Sequence, residues 1–177
     1  MQKGFTLIEL IIVIVILGIL AVTAAPRFID ISDDAHEAAT RAEAAAFKTS
    51  VQLVYGLYQM RQTSPLTVGD QTVYIDSVSG YPTGDGSGAQ FCVNLWTRLL
   101  NSSETVNGVS NPASALADGW NSFGFTEMCA YGKQYGDRTF ASGNLPHFVY
   151  YIRDFGPYTY NGQTYQGSAG DVQVINF

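Results

Sequence analysis

The feature that most constrains this chain is an apolar run near its start, Phe5 to Ala25, whose only charged residue is Glu9. A helix of this length spans roughly 32 Å, which matches the hydrocarbon thickness of a lipid bilayer. Three interpretations follow from the run alone. It is a cleaved secretory signal, a permanent membrane anchor, or a segment that occupies the membrane only temporarily.

Two features weigh against a secretory signal, although Lys3 supplies a basic start and Val22-Thr23-Ala24 offers small residues for cleavage. The run is longer than the usual apolar region of about 7–15 residues. Glu9 also costs roughly 2–3 kcal/mol at the centre of a membrane, and a signal that is discarded has no need of it. A retained glutamate predicts a positively charged partner near the start of the helix.

The stretch Gly4-Phe5-Thr6-Leu7-Ile8-Glu9-Leu10, followed by β-branched apolar residues, resembles the processing site of type IV pilins. The resemblance implies a leader at residues 1–4 that a membrane-embedded prepilin peptidase cuts after Gly4. It also implies N-methylation of Phe5 by the same enzyme, and Glu9 falls on the family's glutamate. The combination of small residue, aromatic residue, basic leader and lone acid makes the motif specific.

The resemblance extends over about the first third of the chain. It continues through Ile16–Ala21 and Pro26 into Arg27–Ala35, which is most similar to the mannose-sensitive haemagglutinin (MSHA) type of type IVa pilin. One departure concerns the two cysteines, since many type IVa pilins place this pair near the C-terminus. Here 48 residues follow Cys129, so family rules for a receptor-binding loop are not carried over.

Three residues at the tip of the helix are candidates for a role in assembly: Phe5, Thr6 and Glu9. Cleavage after Gly4 would leave a cationic amine on Phe5 among apolar helices, where an unpaired charge is costly. We therefore expect Glu9 of one subunit to receive the Phe5 amine of a neighbour. The alternative is an unpaired Glu9 near the lipid headgroups. Thr6 is a candidate to hydrogen-bond the backbone or Glu9.

Gly18 and Pro26 lie in the same helical span, and each weakens a helix. Proline removes a backbone donor, and glycine costs about 1 kcal/mol relative to alanine. The sequence predicts a kink in the monomer at Pro26. The family resemblance adds local unwinding between Gly18 and Pro26 in a filament.

Beyond Pro26 the helix is predicted to continue, with an amphipathic pattern, to about Gln62. Apolar residues recur at helical spacing and should lie under a sheet: Phe47, Val51, Val54 and Tyr58. After residue 62 come fifteen of the eighteen glycines and nine of the eleven tyrosines, which is typical of strands and loops. The predicted fold class is α+β, the type IV pilin fold, with a long N-terminal helix packed against an antiparallel sheet. Its predicted parts are a leader (1–4), an apolar membrane or filament-core helix (5–26), an amphipathic helix (27–62) and a β-rich head (63–177).

Within the head, one helix and four strand segments are predicted. The helix covers Gln90–Leu100. The strand segments are Thr72–Ser77, Phe123–Ala130, Phe148–Phe155 and Asp171–Phe177, with a hairpin over Tyr158–Tyr165 that turns at Asn161-Gly162.

The resemblance implies that the chain is exported, and its two cysteines, Cys92 and Cys129, can pair with each other. We therefore expect a disulfide between them, with two buried thiols as the alternative. Five tyrosines near the C-terminus also raise the hypothesis of an adhesive or sugar-binding face: Tyr150, Tyr151, Tyr158, Tyr160 and Tyr165.

Composition excludes several classes of function. Nine basic and fifteen acidic residues give a net charge of −6, which argues against nucleic-acid binding. Two cysteines and two histidines are too few for a zinc ribbon or an iron–sulfur centre, and we expect no metal, cofactor or catalytic residue.

The resemblance implies a major structural pilin, held in the bacterial inner membrane and then assembled into a helical extracellular homo-oligomer for surface attachment. Its expected partners are further copies of this chain, the prepilin peptidase and the pilus assembly machinery. A minor pilin or a type II secretion pseudopilin shares the same N-terminal features. A membrane-anchored or secreted enzyme is the remote alternative, because His147 has no nucleophile motif to serve.

Overall fold

The computed structural model describes residues 5–100 and 104–175, and the side chains of residues 24–30 lie outside that description. The chain divides into two compact units, Met1–Glu37 and Ala38–Phe177. The elements of the described residues run in chain order as α1 (Leu7–Arg61), β1 (Leu66–Val68), β2 (Gln71–Ile75), β3 (Pro82–Thr83), α2 (Ala89–Leu99), β4 (Val106–Gly108), β5 (Trp120–Phe125), β6 (Met128–Lys133), β7 (His147–Tyr151), β8 (Phe155–Tyr160), β9 (Gln163–Gly167) and β10 (Val172–Ile175).

The end of α1 agrees with the prediction and has a local cause. Gln62 adopts a left-handed backbone conformation with φ of 52°, and its N–H donates to the Tyr58 carbonyl at 2.8 Å. A left-handed residue directly after the last turn is a common way to satisfy the free carbonyls of a helix end.

The sheet of the second unit has five strands in the order β10-β7-β6-β5-β4. Every pairing is antiparallel except β4 with β5, where Val106 lies opposite Trp120 in a parallel register. The predicted α+β fold with a long N-terminal helix and an antiparallel sheet is confirmed, with one parallel edge strand as an addition. Two small antiparallel sheets accompany the main sheet, β1-β2-β3 and β8-β9.

Alternation along β6 and β7 sends side chains to two separate cores. Cys129, Tyr131, Phe148 and Tyr150 point to the face that packs against α1 and α2, where they join Phe47, Val51 and Val54 of α1. Of the four helix residues predicted to lie under the sheet, these three are buried there, and Tyr58 is half-buried against the same core. The opposite face carries a second core, which the β8–β9 hairpin and the loops around Leu116 and Leu145 cover.

Two strand predictions are wrong, and three short strands were not predicted. The single strand expected over Phe123–Ala130 is a hairpin, with β5 ending at Phe125 and β6 starting at Met128. The strand expected over Phe148–Phe155 stops at Tyr151, and Phe155 begins β8 instead. The sequence pattern missed β1, β3 and β4, because strands of two or three residues are too short to show alternation.

The predicted helix in the head and the predicted turn are both confirmed. The helix α2 buries Phe91, Cys92, Leu95, Trp96 and Leu99 along one side. Asn161 and Gly162 link β8 to β9 with φ values of 47° and 80°. Positive φ at both central residues is the requirement of the tight hairpin turn that Asn-Gly favours.

Candidate functional site

The described part of the N-terminal helix is apolar on every side. All fourteen large apolar side chains between Phe5 and Val22 are exposed, from 46% for Ile11 to 89% for Phe5. A helix that is hydrophobic all round requires burial in an apolar environment. Burying a side chain of this kind contributes roughly 1.5–3 kcal/mol, so the full set represents a driving force on the order of 20 kcal/mol or more.

The described side chains of this segment end at Thr23, two residues before the end of the predicted run. The side chains of its last two residues, Ala24 and Ala25, lie outside the description. In the part of the chain that the structure describes, no helix combines the length and the apolarity needed to cross a membrane.

The tip of α1 is closed by a reciprocal pair of side chains, Thr6 and Glu9. The Thr6 backbone N–H donates to Glu9 Oε2 at 2.9 Å, and the Glu9 backbone N–H donates to Thr6 Oγ1 at 3.4 Å. This arrangement is a capping box, in which the residue before the helix and the third helical residue satisfy each other's free amides. The carboxylate is also favourably placed for the positive end of the helix dipole.

A third hydrogen bond fixes the two side chains to each other. The Thr6 hydroxyl donates to the same Oε2 of Glu9 at 2.7 Å. The hydrogen bond expected between Thr6 and Glu9 is therefore present, and a role of the two residues in assembly stays a prediction. For Oε1, the second oxygen of Glu9, the described residues provide no hydrogen-bond partner.

The other predicted site residues fall in different places. Gly4 lies outside the described residues. The helix assignment runs through Gly18 and Pro26 without a break, and a Cβ at Gly18 would meet nothing within 4 Å. Local unwinding is thus not seen in the isolated chain, and the kink at Pro26 stays a prediction.

The predicted disulfide joins Cys92 of α2 to Cys129 of β6, with 5.6 Å between the Cα atoms. The bond links α2 to β6, the central strand of the five-stranded sheet. Close packing surrounds it, because a Cβ added to Gly124 would lie 2.8 Å from the Cys92 sulfur.

The five tyrosines do not form one exposed face. Tyr150 and Tyr151 are fully buried on opposite sides of β7, and Tyr165 is 9% exposed. Tyr158, at 51%, is the exposed member of the group, and Tyr160 is half-buried. The hypothesis of an adhesive tyrosine surface is wrong in that form, because alternation along the strands sends most of these rings into the two cores.

The described head contains ion pairs that were not foreseen from the sequence, and two of them are partly buried. Arg153 makes a bidentate pair with Asp76, with its Nη2 2.7 Å from Oδ2. Arg98 makes the second pair with Asp85, in the loop between β3 and α2, at 2.8 Å. Asp85 is thereby engaged by a cation, and in the described residues no cluster of acidic, histidine or cysteine side chains could hold a metal ion.

Comparison with known proteins finds one family model and several relatives, each matched over only part of the chain. Residues 1–25 match the prokaryotic N-terminal methylation motif. The type IV narrow pilus major component PilA5 of Thermus thermophilus is 58% identical over 48 residues, which are 27% of this chain and 41% of the relative. The type IV major alpha-pilin of Moraxella bovis is 52% identical over 50 residues, or 28% of this chain and 31% of that protein.

Fimbrial protein Q of Moraxella bovis shows the same identity over 50 residues. The matched stretches span less than half the length of each of these relatives. No solved structure matches the chain. The methylation motif and the pilin relatives together support the type IV pilin family.

Proposed function

We propose that this chain is a major structural subunit of a type IV pilus, of the MSHA type, and that it assembles with copies of itself into a helical extracellular filament. One observation supports this most strongly: the N-terminal helix exposes apolar side chains in every direction, and its first turn is capped by the Glu9 carboxylate. Such a surface suits a bundle of like helices better than any contact within a single chain.

Processing fits the position of the helix start. Cleavage after Gly4 by the prepilin peptidase would make Phe5 the first residue, directly before the capping residue Thr6. The new amine, methylated by the same enzyme, would then lie at the extreme end of the helix. Phe5 is 89% exposed and free of the cap, so the reaction leaves the Thr6–Glu9 hydrogen bonds in place.

The two carboxylate oxygens of Glu9 would have different partners. Oε2 holds the cap of its own helix. Oε1 would receive the ammonium of Phe5 from a neighbouring subunit. A charge-assisted hydrogen bond is worth about 1.5–3 kcal/mol, and an unpaired charge in an apolar bundle costs more than that. The pair would therefore set the axial register of subunits rather than supply most of the assembly energy.

Before assembly, the apolar run from Phe5 to Ala25 would be held in the bacterial inner membrane. A bilayer and the centre of a filament both replace water around the same apolar side chains, so transfer from one to the other exposes little of this surface. The pilus assembly machinery would carry out that transfer. Gly18 and Pro26 mark the stretch that we expect to unwind in the filament, where Pro26 lacks a backbone donor.

A minor pilin or a type II secretion pseudopilin would share this N-terminal geometry. The relatives named as major pilin components do not favour that alternative. Enzymatic activity is not part of the proposal, because His147 lies in the second core with its ring against Phe140 and Tyr165.

The test uses variants of Glu9 that separate cap from charge. Glu9→Gln keeps an oxygen that accepts from Thr6 but removes the charge, whereas Glu9→Ala removes both. We expect both variants to lose surface fibres, measured as the amount of this chain in sheared material against the amount in the cell. Asp70→Asn, an exposed carboxylate in the β1–β2 turn, is the matched control and should assemble normally.

Normal fibre yield from Glu9→Gln would contradict the charge pair while leaving the cap intact. Normal yield from Glu9→Ala would contradict any role of Glu9 in assembly. A small amount of this chain in fibres built mainly of another pilin would favour the minor-pilin alternative.

A further inference from the structure

The face of the main sheet that points away from α1 carries a cavity of about 390 Å³. It lies between β5, β6 and β7 on one side and the β8–β9 hairpin on the other. Its walls come from aromatic and apolar side chains: Pro112, Phe123, Phe125, Phe140, Phe155 and Tyr160. None of these residues takes part in the proposed assembly of the N-terminal helix.

Burial changes along the cavity and distinguishes a floor from a mouth. At the floor, Ala130 is 3% and Met128 5% exposed, and His147 is 4% exposed. At the mouth, Phe125 is 41% and Tyr158 51% exposed. A gradient of this kind describes an open pocket that a small molecule can enter, rather than a closed packing defect.

The floor contains one buried hydrogen-bond acceptor that is weakly satisfied. His147 Nδ1 lies 2.7 Å from the Leu145 carbonyl oxygen. A carbonyl only accepts, so Nδ1 carries the proton, and Nε2 of the neutral ring presents a lone pair. Its neighbour is the Tyr165 hydroxyl at 3.5 Å, which is long for an O–H···N bond.

We propose that this pocket binds a small aromatic molecule of about two rings that carries one hydroxyl group. The rings would lie among the phenylalanines. The ligand hydroxyl would donate to His147 Nε2 and accept from the Tyr165 hydroxyl. The volume supports two rings, because a cavity of about 150 Å³ already holds one benzene.

The pocket has too few buried hydrogen-bonding groups to bind a sugar. A hexose buries several hydroxyl groups, and each unpaired one costs free energy. The buried polar side-chain atoms of the pocket are the Nε2 of His147 and the hydroxyl of Tyr165, enough for one hydroxyl group, whereas the other two lining tyrosines, Tyr158 and Tyr160, are exposed and half-buried. A plain hydrocarbon would fill the volume but would leave the Nε2 acceptor as weakly satisfied as it is now.

Methionine methyl groups provide a reporter inside the same molecule. Met128 lines the pocket and is 5% exposed, whereas Met60 lies on α1 and is 75% exposed. The full chain, labelled with ¹³C at the methionine methyls and held in detergent, is titrated with 2-naphthol, with naphthalene and with methyl α-glucoside. We expect 2-naphthol to shift the Met128 signal saturably and to leave the Met60 signal unchanged. The Met60 signal is the internal control for 2-naphthol that only partitions into the micelle.

Two variants test the assigned contacts. Tyr165→Phe keeps the ring and removes the hydroxyl, so it should weaken 2-naphthol about 2- to 10-fold and leave naphthalene unchanged. Tyr74→Phe, which removes a hydroxyl outside the pocket, should change neither. Ala130→Leu fills the floor and should abolish the Met128 shift. If that variant fails to fold, the Tyr165 comparison still decides.

Three results would overturn the proposal. Met60 and Met128 shifting in parallel would mean that no specific site exists. Equal affinity for 2-naphthol and naphthalene, unaffected by Tyr165→Phe, would remove the assigned hydrogen bonds. A saturable Met128 shift with methyl α-glucoside, and none with 2-naphthol, would assign the pocket to sugars.

Discussion

Phe47 is the residue on which the packing of α1 against the sheet depends most. Its side chain is fully buried. The Phe47 ring centroid lies 5.2 Å from that of Tyr131, 5.5 Å from that of Phe148, 5.4 Å from that of Tyr150 and 6.2 Å from that of Trp96. Rings from the helix α2 and from two strands thus meet around one side chain of α1.

The substitution Phe47→Ala would remove that ring and leave a cavity among four aromatic neighbours. Buried phenylalanine to alanine changes cost about 3–5 kcal/mol, and each aromatic pair is worth about 0.5–1.5 kcal/mol beyond burial. Because the four neighbours are rigid rings that collapse poorly into a void, we expect about 4 kcal/mol. That corresponds to a fall in Tm of roughly 10 °C for a chain of this size.

The assay is thermal unfolding of the full chain in detergent, with the disulfide intact, followed by near-UV circular dichroism. The control is Leu53→Ala on the same helix, where the side chain is 58% exposed and the expected cost is below about 0.5 kcal/mol. If Phe47→Ala lowered the free energy of unfolding no more than Leu53→Ala does, the packing of α1 described above would be wrong.

Three further predictions concern the head. Reducing the Cys92–Cys129 bond, which spans a sequence separation of 37, should lower the free energy of unfolding by about 4 kcal/mol, and an unchanged urea midpoint after reduction would refute this. Burial alone raises the pKa of Asp76, but hydrogen bonds from Arg153 and the adjacent turn, with the Arg153 charge, lower it below its ordinary value. The contribution of ionised Asp76 to the free energy of unfolding is therefore present above about pH 3.9, and it is lost as the pH falls through the lowered pKa of Asp76 in the folded state. Asp76→Asn should remove this part of the decrease in Tm at acid pH. Burial lowers the pKa of His147, although a hydrogen bond to a backbone carbonyl raises it, so stability should be full above about pH 6.5 and decrease as the pH falls toward the folded-state pKa. A Tm that stays constant from pH 7.5 to 5 would contradict a buried neutral His147.

The parts of the structure that the sequence predicted well are those that local physics decides. The hydrogen bond expected between Thr6 and Glu9 is present because the two residues, at a spacing of three, lie in one turn of helix. The turn at Asn161-Gly162 needs two residues that tolerate positive φ. The buried face of α1 follows from helical periodicity, which placed Phe47 and Val51 correctly.

The parts that the sequence did not predict depend on contacts between distant residues. The hairpin between Phe125 and Met128 turns at Thr126-Glu127, a pair without the glycine or asparagine that marks such turns. The parallel pairing of β4 with β5 is decided by the sheet and α2, not by the three residues of β4. The pocket is assembled from the five strands β5 to β9 and two loop residues, Pro112 and Phe140, so no pattern within one segment predicts it.

The central claim is that the chain is processed after Gly4 and assembled through its N-terminal helix. The most direct measurement is the N-terminus of protein sheared from the cell surface, by intact mass and by mass spectrometry of the N-terminal peptide. The account predicts N-methyl-Phe5 with Met1 to Gly4 removed, in material that contains abundant fibres of this chain. An N-terminus at Ala25 would instead show that the apolar run is a discarded secretory signal, and would contradict the filament account.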